Sequence, residues 1–128
     1  MSKRTFLLTG IVLIIVAIIL GAFGAHALKS ILLDYPEKLN SFETGVKYQM
    51  YMGISFLWYG TSKLEAKKTL FILWILGVMF FSFSIYILSI SHLLSFSVKF
   101  LGPITPIGGL LLIVGWVYLF FHVLKSKK

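Results

Sequence analysis

Apolar residues gather along the chain in four long runs, separated by short stretches where charge, proline or glycine returns. The runs cover roughly 6–28, 44–62, 69–94 and 105–124. Each can cross a hydrocarbon core of about 30 Å at about 1.5 Å per residue. The runs do not alternate in polarity, so they read as helices rather than barrel strands. The second helix begins before its apolar part. Asp34-Tyr35-Pro36-Glu37 offers a proline suited to a first helical turn and an acid beside the positive end of the helix dipole, which sets that helix at 36–62. Ala27–Leu33 reads as a short helix lying along the membrane surface, and Thr105-Pro106 reads as N-cap and first residue of the fourth helix. The pattern therefore predicts an all-α integral membrane protein. Residues 1–128 form one four-helix transmembrane bundle with an interfacial segment between helices one and two.

Composition supports this and removes alternatives. With 59% hydrophobic and 12% charged residues and a mean hydropathy of +0.96, the 128 residues cannot cover a soluble domain with polar surface. The net charge of +8 would point to nucleic acid in a soluble chain. Here the lysines flank apolar runs, where positive charge sets orientation, and no basic–aromatic groove pattern is present, so nucleic acid is not an expected partner. With the N-terminus inside, Lys3, Arg4, Lys63, Lys67, Lys68, Lys125, Lys127 and Lys128 face the cytoplasm, against Lys29, Lys38, Lys47 and Lys99 outside. That asymmetry predicts a multi-pass plasma-membrane protein with both termini cytoplasmic. The N-terminus imitates a signal peptide, with Ala25-His26-Ala27 as an A-x-A site, but the apolar run is long enough to stay as a first helix. The chain has no cysteine, which removes disulfides, iron–sulfur clusters and thiolate metal sites.

Small residues recur at helical spacing and predict packing seams that let backbones approach closely in lipid. They are Ala17, Gly21 and Ala25 in helix one, Gly45 and Gly53 in helix two, Gly77, Ser84 and Ser91 in helix three, and Gly108 and Gly115 in helix four.

The residues that could carry chemistry fall at one end. His26 closes helix one on the outside, Glu43, Lys47, Tyr48 and Gln49 enter helix two there, His92 closes helix three, and Thr105 opens helix four. Together they define a candidate outer-face polar cluster, while the cytoplasmic ends read as plain lysine anchors. His26 and His92 could share a metal, a proton or a pH response, with hydrogen bonding between helices as the commoner role. A tetrahedral site would need Glu43 as a third ligand, and no metal or other cofactor is expected. Glu43 and Lys47 have the i, i+4 spacing of a helix-supporting ion pair. Gln49 lies inside an apolar run and must find a partner in the bundle. Tyr48, Tyr51, Trp58 and Tyr59 resemble an interfacial belt, Met50 and Met52 core filler, and His122 an interface or helix-dipole residue. Ser91 adjoins His92, but neighbours on a helix do not face each other, so no catalytic dyad is read there.

Taken in order, Gly21-Ala22-Phe23-Gly24-Ala25-His26, Phe42-Glu43-Thr44-Gly45-Val46-Lys47-Tyr48-Gln49-Met50-Tyr51, Ser91-His92-Leu93, and Thr105-Pro106-Ile107-Gly108-Gly109 with Gly115-Trp116 resemble a known family. It is the domain-of-unknown-function 423 family of small bacterial membrane proteins, related to the eukaryotic transmembrane protein 256 group. The resemblance runs over essentially the whole chain. It implies four membrane helices and a bacterial plasma-membrane location, and no assigned activity. One position departs: where the family often has histidine after Tyr-Gln-x-Tyr, this chain has Met52.

Three functions follow in order of preference. The first is a structural or partner-binding membrane protein, its partners being the bilayer and a homo-oligomer or another membrane protein. The second is a small transporter, channel or ligand-binding protein using the outer-face cluster. A membrane enzyme stands third, with no catalytic residue to name. A transport role predicts a polar path from His26, Glu43 and Gln49 towards the cytoplasm, an enzyme predicts a bound lipid or substrate beside the outer cluster, and a partner role predicts a closed outer face with an exposed small-residue seam.

Overall fold

The computed structural model describes residues 1–127, so Lys128, one of the terminal lysines counted above, lies outside the described residues. Four main helices carry the chain: α1 Lys3–Ile31, α2 Pro36–Thr61, α3 Lys68–Ser89 and α4 Ile104–Lys125. No strand occurs among the described residues. α1, α3 and the stretch Lys99–Lys125 around α4 are long and apolar enough to cross a membrane. α2 has the length, 26 residues, but its first half carries Glu37, Lys38, Asn40, Ser41, Glu43, Thr44, Lys47 and Gln49, and it falls short in apolarity.

Local chemistry explains most of the helix ends. The Ser2 hydroxyl accepts from the Thr5 N–H at 3.2 Å and caps α1. Pro36 opens α2 with Glu37 in the first turn, as its sequence pattern predicts. Three expectations differ. α1 does not release Ala27–Leu33 as a separate surface helix; it passes through a π turn, Gly24–Leu28, and continues to Ile31. α3 stops at Ser89 rather than near residue 94, leaving Ser91–Leu93 as a separate 3₁₀ turn. α4 starts at Ile104 after Pro103, so Thr105 and Pro106 sit inside its first turn, where proline's missing N–H has no helical partner to lose.

A second π turn, Met79–Phe83, interrupts α3. It disturbs the regular carbonyl partners, and the Ser84 hydroxyl donates to Phe80 O at 2.5 Å and lies 3.0 Å from Phe81 O.

α1 lies along α2 and α3 along α4, with α2 also packed on α3. Missing side chains set these approaches. A Cβ on Gly10 would stand 2.7 Å from Gly53 O, where α1 crosses α2. A Cβ on Gly108 would stand 2.8 Å from the Phe81 Cα, so α4 rests on the backbone of the α3 π turn. The seam on α1 is redrawn: Ala17 is buried, Gly21 is half-buried and Ala25 is exposed, while Gly24 makes the close approach to the Phe42 ring. Gly45, Gly53, Gly77, Ser84, Gly108 and Gly115 are all buried within the chain, and Ser91 is half-buried.

Two apolar clusters result. The larger, around Phe6, Phe56, Tyr59 and Trp74, fills the half of the bundle that holds the termini. Its rings pack tilted or edge-on, as at Phe6–Tyr59, 4.7 Å, and Phe56–Trp74, 5.4 Å. The smaller, Leu28, Leu32, Phe42 and Tyr86, closes the opposite half. Ile107, Leu110, Ile113, Val117, Phe120 and Leu124 leave α4 with an outward apolar face fit for lipid.

Candidate functional site

The cluster expected at the end opposite the termini is divided among several sets of contacts. Gln49 is fully buried. Its amide nitrogen donates to Leu13 O on α1 at 2.9 Å, and its amide oxygen accepts from the Tyr86 hydroxyl on α3 at 2.6 Å. One side chain thus ties three helices. Beside it the Ser82 hydroxyl donates to Gly45 O at 2.8 Å. This interior knot satisfies groups that would otherwise be costly in a bilayer.

His92 lies elsewhere. It sits in the 3₁₀ turn after α3, exposed, with its ring 4.2 Å from that of Tyr35 and its Nδ1 2.9 Å from the Lys38 ammonium. The lysine donates, so that nitrogen is the unprotonated acceptor of the ring. Thr105 pairs with the Ser84 hydroxyl at 2.6 Å, joining α4 to α3. A cavity of about 450 Å³ opens nearby between Glu37, Lys38, Thr44, Ser89 and Thr105. His26, Glu43, Lys47 and Tyr48 are all exposed. The i, i+4 spacing of Glu43 and Lys47 does not produce an ion pair; among the described residues the one ion pair is Lys67–Glu65. Glu43 and Lys47 instead border a shallow cleft of about 170 Å³ with Gly21 and Gly24. No hydrogen bond or ring contact among the described residues joins His26, Glu43, Gln49 and His92 to one another. Nor do three histidine, aspartate or glutamate side chains among the described residues gather as a metal would require.

The terminal end, read above as plain lysine anchors, is the more densely bonded. The Lys3 ammonium donates to Tyr59 O at 3.2 Å, to Ser62 O at 2.9 Å and to Leu64 O. These are carbonyls at and beyond the C-terminus of α2, where helical partners run out and positive charge suits the dipole. The buried Tyr59 hydroxyl donates to Glu65 O at 2.5 Å and accepts from the Lys67 N–H at 3.3 Å. His122 Nε2 lies 3.1 Å from the same Glu65 carbonyl, bringing α4 to the loop between α2 and α3. Lys67 and Glu65 pair at 2.6 Å, which holds the Glu65 carboxyl below the usual carboxylate range and raises Lys67. A cavity of about 1090 Å³ lies beneath, lined by Lys63, Lys67, Tyr118, His122, Lys125 and Lys127 among others.

Sequence reasoning did not single out Tyr86, Lys38, Tyr35 or Glu65, and it read Tyr59 as a membrane-belt residue. A signal was present for Tyr86 and Tyr59. A tyrosine that packs inward needs a hydroxyl partner, and Gln49 and the loop after α2 had partners to give. Met52, at the position where the family often carries histidine, is buried in the larger apolar cluster.

Helices of this length and apolarity, with Gln49, Ser82 and Tyr86 bonded between helices, define a helical membrane protein. The chain belongs to the family described as Protein of unknown function (DUF423), whose model matches residues 20–109. It is 36% identical to a UPF0382 membrane protein of Staphylococcus haemolyticus, over 95% of this chain and 97% of that one. A UPF0382 membrane protein of Bacillus subtilis is 34% identical over 95% of this chain and 98% of its own, and one of Haemophilus influenzae is 36% identical over 85% of each. No solved structure matches the chain.

Proposed function

We propose that this chain crosses the plasma membrane four times, with both termini in the cytoplasm, and works as a structural or partner-binding element within the bilayer. Eight lysine and arginine residues at the terminal end against four at the other support the orientation. The observation that carries the function is the closure of Gln49. Both ends of its amide are taken by Leu13 and Tyr86, and the next layer towards the termini is Met52, Phe56, Trp74 and Phe6. A polar route from the opposite end therefore stops at mid-depth, which disfavours conduction through a single copy.

The small residues proposed as helix-packing positions support internal packing, because most of them are consumed inside the chain. The exposed seam expected for a partner is therefore not what this chain offers, and a partner would meet a side-chain surface instead. Purified protein reconstituted into liposomes is expected to pass protons and potassium no faster than empty vesicles. A flux above that background, abolished by Gln49→Leu, would overturn the reading in favour of transport. A fluorescent reporter fused to the C-terminus is expected to remain cytoplasmic, and export of that end would reverse the orientation.

A further inference from the structure

The polar-tipped aromatics at mid-depth have no role in the contacts described so far. Tyr48 and Tyr51 stand level with the middle of α3 and α4, since Tyr48 meets Phe81 and the same recess reaches Ile113 and Trp116. Tyr48, Tyr51 and Trp116 are exposed, at 44%, 53% and 44%. Tyrosine and tryptophan usually sit at the membrane surfaces, where their O–H and N–H reach water or headgroups. At mid-depth lipid tails offer no acceptor, and among the described residues neither the two phenol hydroxyls nor the Trp116 indole N–H has a hydrogen-bond partner. The neighbouring Ser55 hydroxyl is already spent on Tyr51 O at 2.7 Å.

These residues are the rim of a groove between α2 and α4. Its volume is about 470 Å³, within the range of small-molecule sites, and its buried floor is Met52 and Leu112. Its walls are aromatic. Tyr48 meets Tyr51 edge-on at 5.7 Å and Phe81 at 5.2 Å, while Trp116 lies 5.0 Å from Trp74. Gly109 keeps the groove open beside Phe81. Among the described residues, no charged side chain lines it.

That chemistry selects its occupant. The absence of charge argues against an ion or a headgroup. An acyl chain would fill the space and leave every donor unpaired. A second copy could cover the groove, but a helix about 10–12 Å across does not enter a recess of this size. Aromatic walls suit a flat ring, and unpaired donors suit acceptors on that ring. We propose that the α2–α4 groove binds a planar, lipid-soluble ring compound bearing carbonyl acceptors, the chemistry of a quinone head group. Tyr48 and Tyr51 donate to the acceptors, and Phe81 and Trp116 flank the ring. The inference rests on α2 crossing the bilayer, as proposed above.

The test uses the full chain in lipid nanodiscs free of quinone, titrated with decylubiquinone and with decylbenzene as a control lacking acceptors. Trp58→Phe lowers background, so that tryptophan fluorescence reports chiefly on Trp116 and Trp74. Saturable quenching by the quinone alone is expected. It should weaken at least tenfold in Tyr48→Phe/Tyr51→Phe and vanish in Gly109→Leu, which fills the groove from a position whose Cβ would stand 3.5 Å from the Phe81 ring, an ordinary contact. The double phenylalanine variant removes no protein contact, so its melting temperature should stay near that of the parent. Non-saturable quenching, identical in parent and double variant, overturns the proposal. So does disulfide cross-linking of Tyr51→Cys to a second copy with no quinone present, which would assign the groove to an oligomer. Topology reporters separate the two failures: correct reporters with no saturable quenching sink the groove alone, whereas a misplaced α2 sinks the reading beneath it.

Discussion

The two ends of this bundle contain similar raw material and use it differently. At the terminal end a lysine, a tyrosine and a histidine from three helices converge on the carbonyls of one short loop, Ser62–Lys67. At the opposite end His26, His92, Glu43, Lys38 and Lys47 share no common partner, and among the described residues only Lys38 and His92 of that set meet. The difference lies in the backbone rather than in the polar side chains. A short link leaves the last carbonyls of α2 unpaired and close to neighbouring helices, so cations and hydroxyls are drawn to a common target. The links at the other end are independent, Leu32–Tyr35 closing one pair and Ile90–Pro103 the other, and each holds its own turns. Polar residues gathered at one membrane face become a site only when some shared acceptor organises them.

This contrast can be broken by experiment, most easily by unfolding the purified protein in mixed micelles and comparing stabilities. Lys3→Met should have the largest effect at the ends, about 2–3 kcal/mol, because it strips a charged donor from several carbonyls at once. Tyr59→Phe should cost about 1–2 kcal/mol by leaving Glu65 O and the Lys67 N–H without the buried hydroxyl. Tyr86→Phe tests the interior knot; it orphans the Gln49 amide oxygen and should cost about 0.6–1.7 kcal/mol, the range of interhelical hydrogen bonds in membranes. His26→Ala and Glu43→Gln should each change stability by less than about 0.5 kcal/mol, since neither side chain has a partner among the described residues. If His26→Ala proved as damaging as Tyr59→Phe, the distinction between the two ends would fail.

The smallest effect is electrostatic. Lys67, through its hydrogen bond and then its charge, holds the Glu65 carboxyl below its ordinary range. A group depressed in the folded state contributes stability above its unfolded value, near pH 4.3, and loses it as pH falls through the lower folded value. The pair is exposed, so the contribution is slight. The stability gap between the parent and Glu65→Gln should therefore be widest near neutral pH and close below about pH 4. The Glu65 carbonyl, which Tyr59 and His122 use, is untouched by that change.

Much of the architecture was legible in the residues. Apolar runs of span length and the Pro36-Glu37 start of α2 are local properties, summed residue by residue, and they predict helices at nearly the right places. The candidate site was less legible because it depends on azimuth. Each residue advances a helix by about 100°, so inward and outward faces can be assigned only while the helix stays regular. The π turn at Gly24–Leu28 inserts an extra residue into α1. The buried positions run Ala17, Gly24, Leu28 and Leu32, so the inward stripe passes through Gly24, and Ala25 and His26 face outward. Nothing in the repeat Ala17-Gly21-Ala25 signals which of Gly24 and Ala25 meets the neighbouring helix.

Composition and hydrophobic spacing alone thus determined that this is a helical membrane chain, and where its helices begin and end to within a few residues, because transfer from water to lipid acts on each side chain separately. Only the tertiary structure decided that Gln49 is matched by Tyr86, that His92 belongs with Lys38 and Tyr35 rather than with His26, and that the terminal end is the bonded one. Those pairings join residues far apart in the chain, and they depend on helix phase and crossing geometry, which no local run of residues contains.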